Sequence, residues 1–192
     1  MANAVSTAIG MVVRRGREVR YQPYWEKKTI STGVSDLSYF TTLPTSADLG
    51  NMQVAGQFPA PRQYKILGFA VFVHIIGVIA DTANFVKSIR NILQTVFILT
   101  IADKEYLRFP GWMAAGGGGV HTGTGPAAPS QESFIQGGHP LTYNYLRLPI
   151  PITIPMQQNF AVRQTWGAIA AGVGTGVDCT VSMYGVEERA IQ

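Results

Sequence analysis

The side chains in this sequence that are best suited to catalysis or metal binding are three histidines, one cysteine and a few scattered carboxylates. His74, His121 and His139 do not occur at spacings typical of shared metal ligands. His74 lies in an apolar run, which favours a hydrogen-bonded core or interface histidine, and the other two flank a glycine-rich segment as solvated side chains. Cys179 falls in an alternating apolar register, which favours a buried thiol; a reactive thiol or an intersubunit bridge is the alternative. The sequence therefore predicts no metal site.

Glycine runs and paired carboxylates give no stronger indication of catalysis. The run at 116–119 lacks the lysine of a phosphate-binding loop, and GVGTG at 172–176 lies between two predicted strands instead of opening a helix. Glu187 and Glu188 are adjacent, so they point to opposite faces of a strand, while pairing of carboxylates distant in the chain stays open. We therefore predict that the protein is not an enzyme and has no catalytic residue, no cofactor and no small-molecule substrate.

Charge is scarce and unevenly distributed. Charged residues make up 14% of the chain, against roughly 25% in an ordinary soluble domain. Residues 1–28 hold six basic and two acidic side chains, which accounts for the whole net charge of +4, so the remaining residues balance. A neutral body with so little charge indicates a surface that partners cover, and the basic arm indicates that one partner is negatively charged.

The arm supplies the candidate binding residues. These are four arginines followed by three aromatic residues: Arg14, Arg15, Arg17, Arg20, Tyr21, Tyr24 and Trp25. Three interpretations are open: a solvated tail, an arm that lies on an acidic protein neighbour, and contact with nucleic acid. Because nucleic-acid binding usually shows denser basic clusters, and because large rings dominate small protein contacts, we favour the protein partner.

The elements that would position these residues are mostly short strands. Apolar and polar residues alternate over 160–166 and 177–184, which is typical of strands with one face in a core. Ile150, Ile152 and Ile154 share one face, and the neighbouring prolines restrict that strand to an edge or an irregular segment. Gly185 breaks the alternation and predicts a β-bulge. The sequence predicts an all-β, antiparallel two-sheet sandwich.

Three segments complete the predicted organisation. Asp81 is a candidate N-cap for one amphipathic helix over about 82–93. Residues 111–140 are rich in glycine and proline and are predicted to form a long loop inserted into the sandwich domain of 29–192. The apolar run at 66–80 is shorter than the roughly 20 residues that a membrane-spanning helix needs. It is predicted to be a buried strand, or two strands with a bend at Gly77, and no membrane span is expected.

The chain resembles bacteriophage virion proteins with a jelly-roll fold. The resemblance lies in QVAGQFPAPRQYKILGFAV at 53–71, DKEYLRFPGWMAAGGGG at 103–119, and the ending LPIPITIPMQQNFAV…VSMYGVEER. It covers most of 53–189, rests on a pattern of strands, proline steps and a final G-V-E-x-R, and does not include the arm at 1–28. The resemblance implies a jelly-roll capsid protein without ligands that assembles in the host cytoplasm and resides in the virion.

Within this class, the resemblance implies a cement or decoration protein on an icosahedral head. Such a protein would form homo-oligomers, with a trimer favoured, and would bind the major capsid protein or neighbouring capsomers through the arm and the glycine-rich loop. The alternative is the major capsid protein of a tailless phage. Two other classes stay open. One is a carbohydrate- or receptor-binding sandwich, for which Trp112, Trp166 and Tyr143 are candidates, and the other is a metal or sugar enzyme.

Overall fold

A computed structural model describes residues 6–7, 11–14, 16–30, 34–75, 91–116, 121–122, 135–136, 145–166 and 177–190. These residues form a larger antiparallel sheet, a four-stranded antiparallel sheet and a separate two-stranded pair. The strands are β1 (Ser6–Thr7), β2 (Met11–Arg14), β3 (Arg17–Tyr21), β4 (Tyr24–Ile30), β5 (Asp36–Tyr39), β6 (Arg62–Ile75), β7 (Val96–Ile101), β8 (Lys104–Pro110), β9 (His121–Thr122), β10 (Ile135–Gln136), β11 (Leu146–Ile154), β12 (Phe160–Thr165) and β13 (Val177–Ala190). The predicted all-β sandwich is confirmed, whereas its jelly-roll connectivity stays a prediction.

The larger sheet is built around β13. Its strand order is β1-β2-β3-β13-β6-β11. β4 pairs with the same edge of β13 as β3 does, but with the first half of β13, whereas β3 pairs with the last five residues. β3 and β4 therefore lie end to end, and the N–H of Gln22 between them donates to the Gly185 carbonyl at 3.1 Å. Pro23 follows at the break because it has no N–H to donate to the ladder. The smaller sheet has the order β5-β12-β7-β8.

The core lies between the two sheets, and its apolar residues follow the predicted alternation, but Asp178 and Ser182 on the opposite face of β13, which the alternation placed outside, are buried as well. On β13, Cys179, Val181 and Met183 are fully buried, and Phe160 and Val162 of β12 in the other sheet belong to the same core cluster. Aromatic rings fill much of the space: Phe58 stacks on Phe160 with ring centroids 5.3 Å apart, and Phe69 meets Phe109 at the same distance. Aromatic pairs in this geometry add stabilisation beyond the area they bury.

The bulge predicted at Gly185 coincides with a shift in strand register, but the extra residue lies on the partner strand. Tyr184 pairs with Gly68, and Gly185 pairs with Ile66, so Leu67 of β6 is the unpaired residue. A Cβ at position 185 would lie 2.1 Å from the Lys65 carbonyl oxygen. Glycine is required here because the two backbones approach too closely for any side chain. β13 keeps its parity, and Glu187 stays on the core side.

β11 is an edge strand, as its prolines predicted. Its pairing with β6 is interrupted between Arg147 and Ile152, where Pro149 and Pro151 cannot donate to a ladder. The predicted apolar face is correct for Ile154, which is fully buried, but wrong for Ile150, whose side chain is 78% exposed. The irregular backbone turns Ile150 away from the core, a rotation that strict alternation does not anticipate.

Two further predictions fall only partly on described residues. Residues 91–93 are helical, while the rest of the helix predicted over 82–93 lies outside the described residues. In the segment predicted as a loop, Gly111–Ala114 form a 3-10 helix, and the short strands β9 and β10 pair with each other. The remainder of 111–140 beyond residue 116 is otherwise outside the described part of the chain.

Candidate interaction surface

The arm residues predicted to bind a partner belong largely to the sheet. Arg17, Arg20 and Tyr21 lie in β3, while Tyr24 and Trp25 lie in β4. Arg14 is in β2 and pairs in register with Arg17; Arg15 lies outside the described residues. The boundary predicted at residue 28 falls within β4, which pairs with β13 along its whole length. Residue 28 therefore lies inside a strand of the larger sheet, and the division into arm and sandwich domain stays a prediction.

Glu187 and Glu188 lie on opposite faces of β13, as their adjacency predicted, and both are buried. We call the face that continues the core the inner face and the opposite one the outer face. On the outer face, Glu188 accepts hydrogen bonds from Lys65 Nζ at 2.5 Å, Gln63 Nε2 at 2.7 Å and Arg17 Nη1 at 3.3 Å. The hydrogen bond from Lys65 is the main cause that lowers the pKa of Glu188.

The inner face carries a second group of charges around Glu187. Arg20 Nη2 lies 3.2 Å from Glu187 Oε1, and Arg62 Nε lies 3.9 Å from the same atom. On the neighbouring rung, Arg189 Nη2 lies 2.8 Å from Glu18 Oε2. These five side chains line a cavity of about 260 Å³, which we call the arginine cleft. β3, β13 and β6 position it, because residues two apart on each strand share a face.

The three aromatic residues of the arm occupy different environments. Tyr21 is 56% exposed, Trp25 is half-buried and Tyr24 is buried. The Tyr24 ring packs edge-on against Phe58 and Tyr64, and its hydroxyl donates to Glu187. Burial and this hydrogen bond raise the pKa of Tyr24 above its usual value. Tyr24 is thus a core residue in this structure, and Tyr21 is the aromatic residue of the three that the surface exposes.

A second surface consists of exposed apolar side chains on the edges of both sheets. β8 and β11 are edge strands, and they lie on the same side because Phe109 of β8 meets Phe69 of β6, the neighbour of β11. The 3-10 helix follows β8 directly. Four apolar side chains on these two strands or in the 3-10 helix are at least 46% exposed, and together we call them the apolar edge: Tyr106, Trp112, Met113 and Ile150. Sequence reasoning singled out Trp112 alone among them as an exposed candidate.

The cysteine, the histidines and the other aromatic candidates singled out in the sequence lie apart from these two surfaces or outside the described residues. Cys179 is a free, buried thiol, and burial raises its pKa to about 12, in agreement with the predicted core cysteine. The side chain of His74, and His139 as a whole, lie outside the described residues. Trp166 is half-buried and donates its Nε1–H to the Val34 carbonyl, while Tyr143 is not described. Within the described residues, no three of His, Cys, Asp or Glu are grouped to hold a metal ion.

Sequence reasoning missed Arg62, Lys65 and Arg189 as members of the charged groups. Only the pairing of β6 and β3 with β13 would have revealed them. In that pairing Arg62 and Glu18 both lie opposite Arg189, and Lys65 lies opposite Val186, two residues from Glu188 on the same face. The hydrophobic periodicity of a single strand does not predict which other strand it pairs with, or in what register.

Comparison with known proteins gives no match among protein families, curated proteins or solved structures. Among the described residues, no helix has both the length and the apolar character to cross a bilayer. The interpretation of these surfaces therefore depends on their own geometry and composition.

Proposed function

We propose that this chain is a structural subunit of a bacteriophage virion, with jelly-roll connectivity, that cements or decorates an icosahedral head. The observation that supports this most is the apolar edge, on a chain in which 14% of residues are charged. Isolated exposed apolar residues are ordinary, whereas several large ones on adjacent edges are typical of protein interfaces. The side chain of Trp112 is 61% exposed and that of Ile150 is 78% exposed.

The two edges favour docking through side chains over extension of a sheet. Pro149 and Pro151 remove N–H donors from β11. On β8, Glu105 and Arg108 form an exposed ion pair at 2.8 Å, and the ladder with β7 is interrupted between Leu99 and Thr100. Charges, prolines and bulges at edges are the means by which β proteins prevent strand addition. A neighbouring subunit would therefore cover the apolar edge by packing against it.

The expected energetics suit repeated contacts in a shell. Burying one large apolar side chain contributes about 1.5–3 kcal/mol, and about 1.4 kcal/mol changes an association constant tenfold. Removing two such side chains should therefore weaken association by about 100-fold or more. In a homo-oligomer, for which we favour a trimer, and on a capsid, many copies of a modest contact act together.

The test compares the double variant Trp112→Ser/Ile150→Ser with Leu43→Ser. Leu43 is also exposed, at 52%, but lies in the loop after β5. Light scattering would measure the mass of each protein alone, and sedimentation would measure its binding to capsids from which the natural protein has been stripped. We expect the double variant to lose association and Leu43→Ser to keep it. A wild-type monomer that ignores capsids would refute the proposal.

The same stripping experiment separates the two structural roles. A cement protein leaves a closed shell behind when it is removed, whereas the major capsid protein of a tailless phage leaves none. Carbohydrate binding is the second candidate function, favoured by the exposed ring of Trp112. Binding on a glycan array that disappears with Trp112→Ala would support it over the structural role.

A further inference from the structure

We propose that the arginine cleft binds a carboxylate-bearing acidic segment of a partner protein. This inference rests on the proposed function only in assuming that the chain assembles with other proteins. The cleft is lined by three guanidinium groups and two carboxylates, those of Arg20, Arg62, Arg189, Glu18 and Glu187. Each guanidinium carries five N–H donors and each carboxylate offers roughly four acceptor sites. The lining therefore has both a surplus of positive charge and a surplus of donors.

The arginines differ from a purely structural ion-pair network in their accessibility. The side chains of Arg20 and Arg189 are 44% and 46% exposed, although the Glu187 that Arg20 contacts is only 6% exposed. Glu187 is also fixed from below by the Tyr24 hydroxyl. The Glu187 carboxylate is held in place while the side chains of Arg20 and Arg189 remain accessible, and a second carboxylate can bind their guanidinium groups from the solvent side. Arg62 is less exposed, at 26%, and its Nη1 also donates to Gln53. Planar guanidinium groups bind carboxylates in a bidentate manner.

The size of the cleft indicates what can enter it. A volume of about 260 Å³ is below the roughly 300–1,000 Å³ of sites for drug-sized ligands. It accommodates one or two acidic side chains instead of a cofactor. Glu18, which pairs with Arg189, is the carboxylate that an incoming one would displace, because it is attached to the outermost strand of the lining.

The distribution of the basic residues favours an acidic peptide over nucleic acid. Arg20, Arg62 and Arg189 line the inner-face cleft, but Arg17 and Lys65 contact Glu188 on the outer face. The sheet therefore divides the positive charge of this region between two surfaces. A nucleic-acid backbone needs a continuous basic track along its phosphates, and neither surface supplies one from these residues. An acidic side chain needs only the local group.

The test measures binding of a synthetic hexaglutamate peptide by calorimetry at low salt, with inorganic phosphate and a single-stranded thymidine 12-mer as comparison probes. The variants are Arg62→Gln/Arg189→Gln, which removes two of the three cleft arginines, and Glu18→Gln, which removes the competing carboxylate. Arg108→Gln is the matched control, because Arg108 is an exposed, ion-paired arginine of the other sheet. Thermal unfolding of each variant shows whether it is folded.

We expect the peptide to bind the wild type, the double arginine variant to lose at least tenfold in affinity, and Arg108→Gln to be unchanged. Glu18→Gln should bind the peptide about three- to tenfold more tightly, a gain that no loss of folding can produce. Absence of peptide binding by the wild type, equal binding by the double variant, binding of phosphate alone, or preferential binding of the oligonucleotide would each overturn the proposal. None of these results depends on capsid association, so the proposed function is tested separately.

Discussion

Replacing Gly185 by alanine tests the register on which both charged groups depend. In the structure, an added Cβ would lie 2.1 Å from the Lys65 carbonyl oxygen and 2.8 Å from the Tyr64 ring. Contacts under 3.0 Å essentially never occur for real Cβ atoms, so the strands must separate by about 1 Å, the difference between 3.0 and 2.1 Å. Overpacking that shifts backbone costs about 1–3 kcal/mol, occasionally more. We expect about 3 kcal/mol, because the obstructing atom belongs to the ladder and cannot rotate away.

Gly16→Ala is the matched control. Gly16 has a φ of +74° and no atom within 4 Å of an added Cβ, so alanine there costs only the left-handed backbone, about 1–2 kcal/mol. In a chain of this size, each kcal/mol lowers the Tm by about 2–4 °C. Calorimetric melting should therefore show a drop of about 6–12 °C for Gly185→Ala and clearly less for Gly16→Ala. Equal drops, or a smaller one for Gly185→Ala, would refute the close approach of β6 and β13.

The Cys179 thiol should not react with an aromatic disulfide reagent at pH 8 in the native protein and should react fully in urea, because it is buried with a pKa of about 12; rapid native labelling would contradict this. The pKa of Glu188 is lowered in the folded protein, chiefly by Lys65. The ionised carboxylate therefore contributes to the free energy of unfolding at pH values above its unfolded pKa of about 4.3. This contribution is lost as the pH falls through the folded pKa. Urea midpoints at pH 3–6 should therefore fall less steeply with acid for Glu188→Gln than for the wild type. Ala102 and Asp103 both have positive φ, of 48° and 65°, as in a type I′ hairpin turn, so Ala102→Asn/Asp103→Gly should stabilise by about 1 kcal/mol, measured as a Tm increase.

The fold class could be predicted from the sequence because the alternation of apolar and polar residues within a strand indicates which of its faces is buried. Alternation at 160–166 and 177–184 gave the core residues of β12 and β13, and the prolines gave the edge position of β11. The exposed Ile150 shows the limit of this reasoning. Alternation assumes an unbroken pleat, and a strand whose N–H groups are missing at two positions does not keep one.

The charged surface was less accessible because it depends on pairing between distant strands. Arg17 and Arg20 look equivalent in the sequence, as two arginines of one basic arm. They differ once β3 pairs with β13, since an odd spacing along a strand puts them on opposite faces. Arg17 then meets Glu188, and Arg20 meets Glu187. Only the register with β13 contains that information.

In the proposed assembling subunit, the two surfaces would have complementary roles. The apolar edge of β8 and β11 would supply affinity, because burial of large side chains contributes free energy regardless of which apolar partner covers them. The arginine cleft would supply selection, since a partner without a correctly placed carboxylate would desolvate the guanidinium groups without adding an acceptor for their free N–H donors. β6 is adjacent to both, as it pairs with β11 on one side and supplies Arg62 on the other. A partner that spans β6 would therefore bind only if it covers the apolar edge and also places a carboxylate in the arginine cleft.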